Sequence, residues 1–190
     1  MNVTFFVHGT SVYGASRSIE LALRSLVQNG YISKENITFI YQRYFRKIRG
    51  KLELPFFHEL PKKYAWILPS MYFSDGSSTR KKELLIRLSR LAFALLFSIP
   101  WTFKYKKLIR REKIDLIHLN SLALWTMLFY IPKNIPVSIH AREIIDDFFE
   151  SKILIALLKE RNVRILAISK ECAEPLINKG LKVEILQNPF

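Results

Sequence analysis

Four consecutive residues, His140, Ala141, Arg142 and Glu143, form the densest run of chemically useful side chains in the 190-residue chain. Arg142 offers a fixed fork of donors suited to a phosphate or carboxylate. His140 can hydrogen-bond a hydroxyl or act as a base, and Glu143 can orient either of them. The plainer alternative is an exposed Arg142–Glu143 ion pair beside a satisfied histidine. A second group is His118, Asn120 and Ser121. Ser121 doubles as a natural helix N-cap, and His118, inside an apolar run, reads as structural. Ser169 is both a cap candidate and a site candidate, and His8 is ambiguous in the same way. A third group is the loop Gly14, Ala15 and Ser16, whose small side chains let a ligand approach the backbone at a helix start, where the helix dipole favours an anion such as phosphate. A plain strand–loop–helix turn without a ligand explains it equally well.

These residues need elements to position them. Residues 2–8 (NVTFFVH) form a buried strand, and 36–41 (NITFIY) a second. Between them Ile19, Leu23, Leu26 and Val27 recur at helical spacing, with Glu20, Arg24 and Gln28 pointing away; Ser16 is placed to cap this helix and Gly30 to end it. Residues 42–78 are irregular, with one strand expected at 64–68. Thr79 caps a long helix seamed by Leu84, Leu88, Leu91 and Leu95, which Pro100 ends or kinks. A basic helical segment follows to Lys113. A regular alternation then begins: strands at 115–119, 136–140, 163–168 and 183–186, with helices at 121–130, 151–161 and 170–179, the last closed by Gly180. This alternation predicts an α/β fold, a Rossmann-like parallel sheet flanked by helices. Ligands of such sheets sit beyond the carboxyl ends of the strands, where His8, residues 14–16, 118–121, 140–143, Ser169 and Asn188 all fall.

Composition narrows the function. Apolar residues make up 49%, enough for a core, so global disorder is excluded. The formal charge is +14, but residues 43–113 carry 18 Lys/Arg against 5 Asp/Glu, while the rest of the chain carries 12 against 11. The basic field is therefore local and suits an anionic surface. Phe93, Phe97, Trp101 and Tyr105, each four apart, form an aromatic stripe beside Arg90, Lys104, Lys106 and Lys107. Such a stripe either joins the core or rests on an anionic membrane leaflet. Nucleic acid is a weaker reading, because no nucleic-acid-binding motif is present. The single cysteine, Cys172, excludes an internal disulfide and fits a reducing compartment. No signal peptide precedes the first strand, and the apolar runs at 91–103 and 121–132 fall short of the ~20 residues that span a bilayer. A cytoplasmic location, peripheral on the inner membrane face, is expected. The chain has no GxGxxG, Walker or GxSxG motif, and its four histidines and Asp146–Asp147 show no metal-ligand spacing.

The ordered set NVTFFVHGTSVYGASRSIELALRSLVQNGY, IDLIHLNS, PVSIHAREI, ILAISKECAEPLINKG and VEILQNPF resembles the N-terminal domain of a GT-B glycosyltransferase of the retaining family 4 type. The resemblance implies one Rossmann-like acceptor-side domain over residues 1–190, half of a two-domain fold. The nucleotide-sugar donor, the only small-molecule requirement implied, would be held mainly by a C-terminal domain that this sequence lacks. It also implies that Gly14, Ala15 and Ser16 approach the donor diphosphate, with Ala15 where relatives often carry a second glycine. By the same resemblance His140 lies near the transferred sugar or acceptor, Arg142 and Glu143 match an HxRE-like variant, and Asn188 enters the interdomain linker. The acceptor would be a sugar or a lipid-linked sugar in surface polysaccharide synthesis, and residues 1–190 alone would be inactive. A sugar-nucleotide epimerase half and a non-catalytic basic membrane-binding module are the rival readings.

Overall fold

The computed structural model describes residues 1–8, 15–42, 55–66, 68, 88–89, 92, 103–145, 149–161 and 163–186. Several expected features lie outside these residues: Gly14 and the loop before it, the basic run at 43–51, Thr79, most of the leucine seam, the first three members of the aromatic stripe, Asp146–Asp147 and Asn188.

Seven strands form one parallel sheet in the order β3-β2-β1-β4-β5-β6-β7. They are β1 Val3–Val7, β2 Ile37–Gln42, β3 Lys62–Trp66, β4 Leu116–Leu119, β5 Val137–Ala141, β6 Arg164–Ala167 and β7 Val183–Ile185. The helices are α1 Ala15–Gln28, α2 Pro55–Glu59, α3 over 103–112, α4 Phe149–Glu160 and α5 Lys170–Ile177. The expected α/β architecture is thus the observed one. A right-handed crossover puts its helix on one face when the chain moves one way along a sheet and on the other when it moves back. The core follows that division. Val3, Phe5, Ile37 and Phe39 pack with Ile19 and Leu23 of α1 and Phe56 and Phe57 of α2. Phe6, Ile40, Ile117, Leu119, Ile139 and Ile165, on the opposite face, pack with α3, α4 and α5.

β4 and β5 alternate sharply. Ile117, Leu119, Val137, Ile139 and Ala141 enter the larger core, whereas His118, Ser138 and His140 occupy the alternate positions. His118 is in register with Phe5 of β1 and Ser138 of β5, and His140 with Leu166 of β6.

Five expectations need correction. Residues 122–129 form a 3-10 helix, not an α-helix, and its first seven residues are all buried; a segment apolar on every side carries no amphipathic period to distinguish the two. β3 begins two residues early, at Lys62, because an edge strand tolerates exposed lysines. α1 starts at Ala15, so Ser16 sits within its first turn and is not outside it as a cap. Finally, Glu20 does not point outward. It is fully buried and accepts hydrogen bonds from Arg17 Nη1 at 2.6 Å and from Arg24 Nε and Nη2 at 3.1 and 3.0 Å, while the Arg24 guanidinium lies 5.2 Å over the Phe56 ring of α2. Leu26, expected inward, is 38% exposed. Gly30 and Gly180 end their helices as expected, at φ +72° and +78°, a region open to glycine without strain.

Candidate functional site at the β1–β4 switch point

From β1 the chain moves outward to β2, and from β4 it moves outward the other way to β5. The crevice beyond the carboxyl ends of β1 and β4 is therefore the switch point of the sheet, the usual ligand position in open α/β folds. His8 follows β1, Asn120 and Ser121 follow β4, and Arg142 and Glu143 follow β5.

The structure joins Asn120, Ser121, His140, Arg142 and Glu143 in one network. Arg142 donates from Nε to the Asn120 main-chain oxygen at 3.2 Å and from Nη2 to Asn120 Oδ1 at 3.3 Å; Nη2 also lies 3.4 Å from His140 Nδ1. Asn120 is fully buried, and its own N–H continues the sheet by donating to Phe6 O at 3.0 Å. Glu143 turns toward the other loop. Its Oε1 accepts from Ser121 Oγ, and its Oε2 accepts from the main-chain N–H groups of Leu122 at 3.0 Å and Arg142 at 3.3 Å. Arg142 and Glu143 are thus each bound to the β4 loop. Ser121 is also the expected N-cap, accepting from Ala123 N at 2.9 Å.

His118, read as structural, is buried with Nδ1 2.9 Å from Ser138 Oγ. Its ring meets His140 edge-to-face at 5.0 Å, and its Nε2 is buried without a partner. Burial first, and the nearby His140 and Arg142 after it, lower the His118 pKa to about 3. Burial and then the Arg142 charge lower His140 to about 4. Both rings are neutral at pH 7, so His140 is available for hydrogen bonding, and its lowered pKa makes it a weak base. His8 is lowered by burial and by Arg142 and raised by Glu143, which places it in the same electrostatic neighbourhood. Nothing in the residue pattern singles out His8 among the strand-end residues.

The remaining candidates belong to other elements. Ser169 caps α5, accepting from Cys172 N at 3.4 Å, and its hydroxyl lowers the Glu171 carboxyl. Ser16 is buried in the first turn of α1, which Ala15 opens. Tyr105, the one described member of the aromatic stripe, joins the core against Phe6 at 5.3 Å. The outer face of α3 instead presents Phe103, Lys106, Lys107 and Arg110, which line a depression of about 390 Å³. Among the described residues, no helix is long and apolar enough to cross a membrane, and no group of three His, Cys, Asp or Glu is arranged to hold a metal.

No protein-family model matches the chain, and no curated protein matches it in sequence. Solved structures do match. HepE from Anabaena in complex with UDP superposes over 100% of this chain and 44% of its own, at TM-score 0.59 and 13% identity. The same protein with UDP and glucose matches over 100% and 45%, at TM-score 0.59 and 14% identity. UDP-GlcNAc 2-epimerase from Methanocaldococcus jannaschii matches over 99% and 46%, at TM-score 0.48 and 15% identity. The chain spans less than half the length of each of these proteins. Its fold is the Rossmann-like α/β fold found in one half of GT-B proteins.

Proposed function

We propose that the chain is the acceptor-side domain of a nucleotide-sugar-dependent glycosyltransferase of the GT-B type. The observation that carries this reading is the network of Asn120, His140, Arg142 and Glu143 at the switch point, in a fold aligned along its whole length with a protein solved with UDP and glucose. In this reading a hexose passes from a nucleoside diphosphate to an acceptor hydroxyl with retention. A second domain holds most of the donor. Gly14, Ala15 and Ser16, at the start of α1, approach its diphosphate. His140 meets a sugar or acceptor oxygen, Arg142 and Asn120 place it, Glu143 sets the spacing of the two loops, and Ser169 and Asn188 border the cleft. The acceptor is lipid-linked, in surface polysaccharide synthesis, and the cationic face at Phe103, Lys106, Lys107 and Arg110 rests on the anionic leaflet that presents it.

The test is titration of the intact protein with UDP and a panel of UDP-hexoses by calorimetry, followed by transfer of labelled hexose to a membrane-lipid extract. Binding of one UDP-hexose, weakened at least tenfold by Arg142→Ala, is expected. No binding of any nucleotide sugar at millimolar concentration would overturn the reading. Flotation with phosphatidylglycerol vesicles tests the leaflet contact: binding that Lys106→Glu with Lys107→Glu does not weaken would remove it.

A further inference from the structure

We infer that Arg142, anchored on Asn120, fixes His140 in the tautomer that carries its proton on Nε2, so that His140 serves as a hydrogen-bond donor to a ligand oxygen and not as the proton-accepting base. That the ligand is a sugar substrate rests on the function proposed above; the tautomer does not.

The argument starts from the guanidinium, which has five N–H donors and no acceptor. Arg142 Nη2 lies 3.4 Å from His140 Nδ1, so Nδ1 must be the partner with the lone pair. A neutral imidazole has one protonated and one bare nitrogen, and the proton is then on Nε2. The ring is kept neutral from two sides. Its own burial and the adjacent Arg142 charge both oppose an imidazolium. The other ring against it, His118, is itself neutral and spends its Nδ1 on Ser138. Glu143, the nearest carboxylate in the network, has both oxygens engaged by Ser121, Leu122 and Arg142.

Arg142 is not free to release Nδ1. Its Nε and Nη2 are both held by the fully buried Asn120, so the guanidinium plane is set before any ligand arrives. Asn120 and Arg142 are positioning residues, and the group they position is a single N–H. Among the described residues no group accepts from Nε2, which leaves it to a ligand. A neutral N–H selects an oxygen lone pair, such as that of a hydroxyl. It cannot take up the proton an acceptor hydroxyl must lose: Nε2 is already protonated and Nδ1 faces a cation. The base for that step must be another group.

Long-range ¹H–¹⁵N correlation spectra of the intact protein, labelled with ¹⁵N-histidine, read the tautomer directly. His140→Gln assigns the His140 signals among the four histidines. At pH 7 the expected pattern is a neutral ring with protonated Nε2 and bare Nδ1. Arg142→Leu should yield a mixture of tautomers and an upward shift of the His140 titration, while Arg142→Lys should preserve part of the native pattern. A protonated Nδ1 or a charged ring in the native protein would overturn the inference, as would an Arg142→Leu spectrum identical to the native one. Should Arg142→Leu not fold, the native pattern and Arg142→Lys decide. Failure to bind nucleotide sugars beside the expected tautomer would count against the proposed function alone.

Discussion

Two glutamates, Glu20 and Glu143, each accept three hydrogen bonds, and they are built for different purposes. Glu20 is fully buried, and its donors are two arginines three residues before it and four after it on the same helix. Glu143 is half-buried, and its donors are a hydroxyl and two main-chain N–H groups. Two of the three come from the β4 loop, more than twenty residues away in sequence. Charge against charge within one helix stabilises that helix and its packing. Neutral donors drawn from two loops fix the distance between the loops. The first glutamate belongs to the body of the domain and the second to the mouth of the crevice.

The comparison breaks most visibly in acid. The three histidines with lowered pKa values, His8, His118 and His140, gather at the mouth. Below pH 6.5 the unfolded chain takes up protons that the folded chain refuses, until His140 titrates at about 4 and His118 at about 3. Because the unfolded state binds more protons in that window, stability must fall as pH falls through it, and these groups contribute no slope above it. Urea unfolding between pH 7 and 4 should show this slope. His140→Gln and His118→Asn should each flatten it; an unchanged slope in both would mean that the rings are charged in the fold.

Next in size is Glu20→Ala, which leaves two arginines facing a buried space. A loss of about 3 kcal/mol in urea unfolding at pH 7 is expected, below the upper range for broken buried pairs because both arginines reach water. Nucleotide-sugar affinity, measured by calorimetry, should change little. Smaller in stability is Glu143→Gln, which keeps the shape and replaces charge-assisted hydrogen bonds by neutral ones, at about 1–2 kcal/mol. Here affinity should fall several-fold. If Glu20→Ala weakened binding more than Glu143→Gln, the division between body and mouth would not hold.

Much of this was legible in the sequence. Most strands show as short apolar runs, although β3 opens on two lysines, and the strand-end rule alone gathers Asn120, His140, Arg142 and Glu143. What it could not give was their division of labour, because half of the partners are main-chain atoms: the Asn120 carbonyl and the Leu122 amide have no signature in residue types. Glu20 was misread for a related reason. Helical periodicity orients a residue relative to its own helix, and the ring that extends the cover, Phe56, arrives from a distant segment. The 3-10 helix at Leu122–Phe129 was missed because its residues are nearly uniformly apolar and buried. In β5, by contrast, Ser138 and His140 interrupting Val137, Ile139 and Ala141 were an open sign of a polar face.

That alternation makes positional error at the site digital. Sliding β5 by one residue would drive Ser138 and His140 into the core and expose Ile139. The smallest slip that keeps the faces apart is two residues, roughly 7 Å along the strand, far too large for Arg142 still to reach Asn120. Intermediate misplacements have no stable arrangement, so a chain that folds presents His140 in place. The same separation makes the two faces independently editable: residues 138 and 140 can change to suit another ligand while 137, 139 and 141 keep the frame.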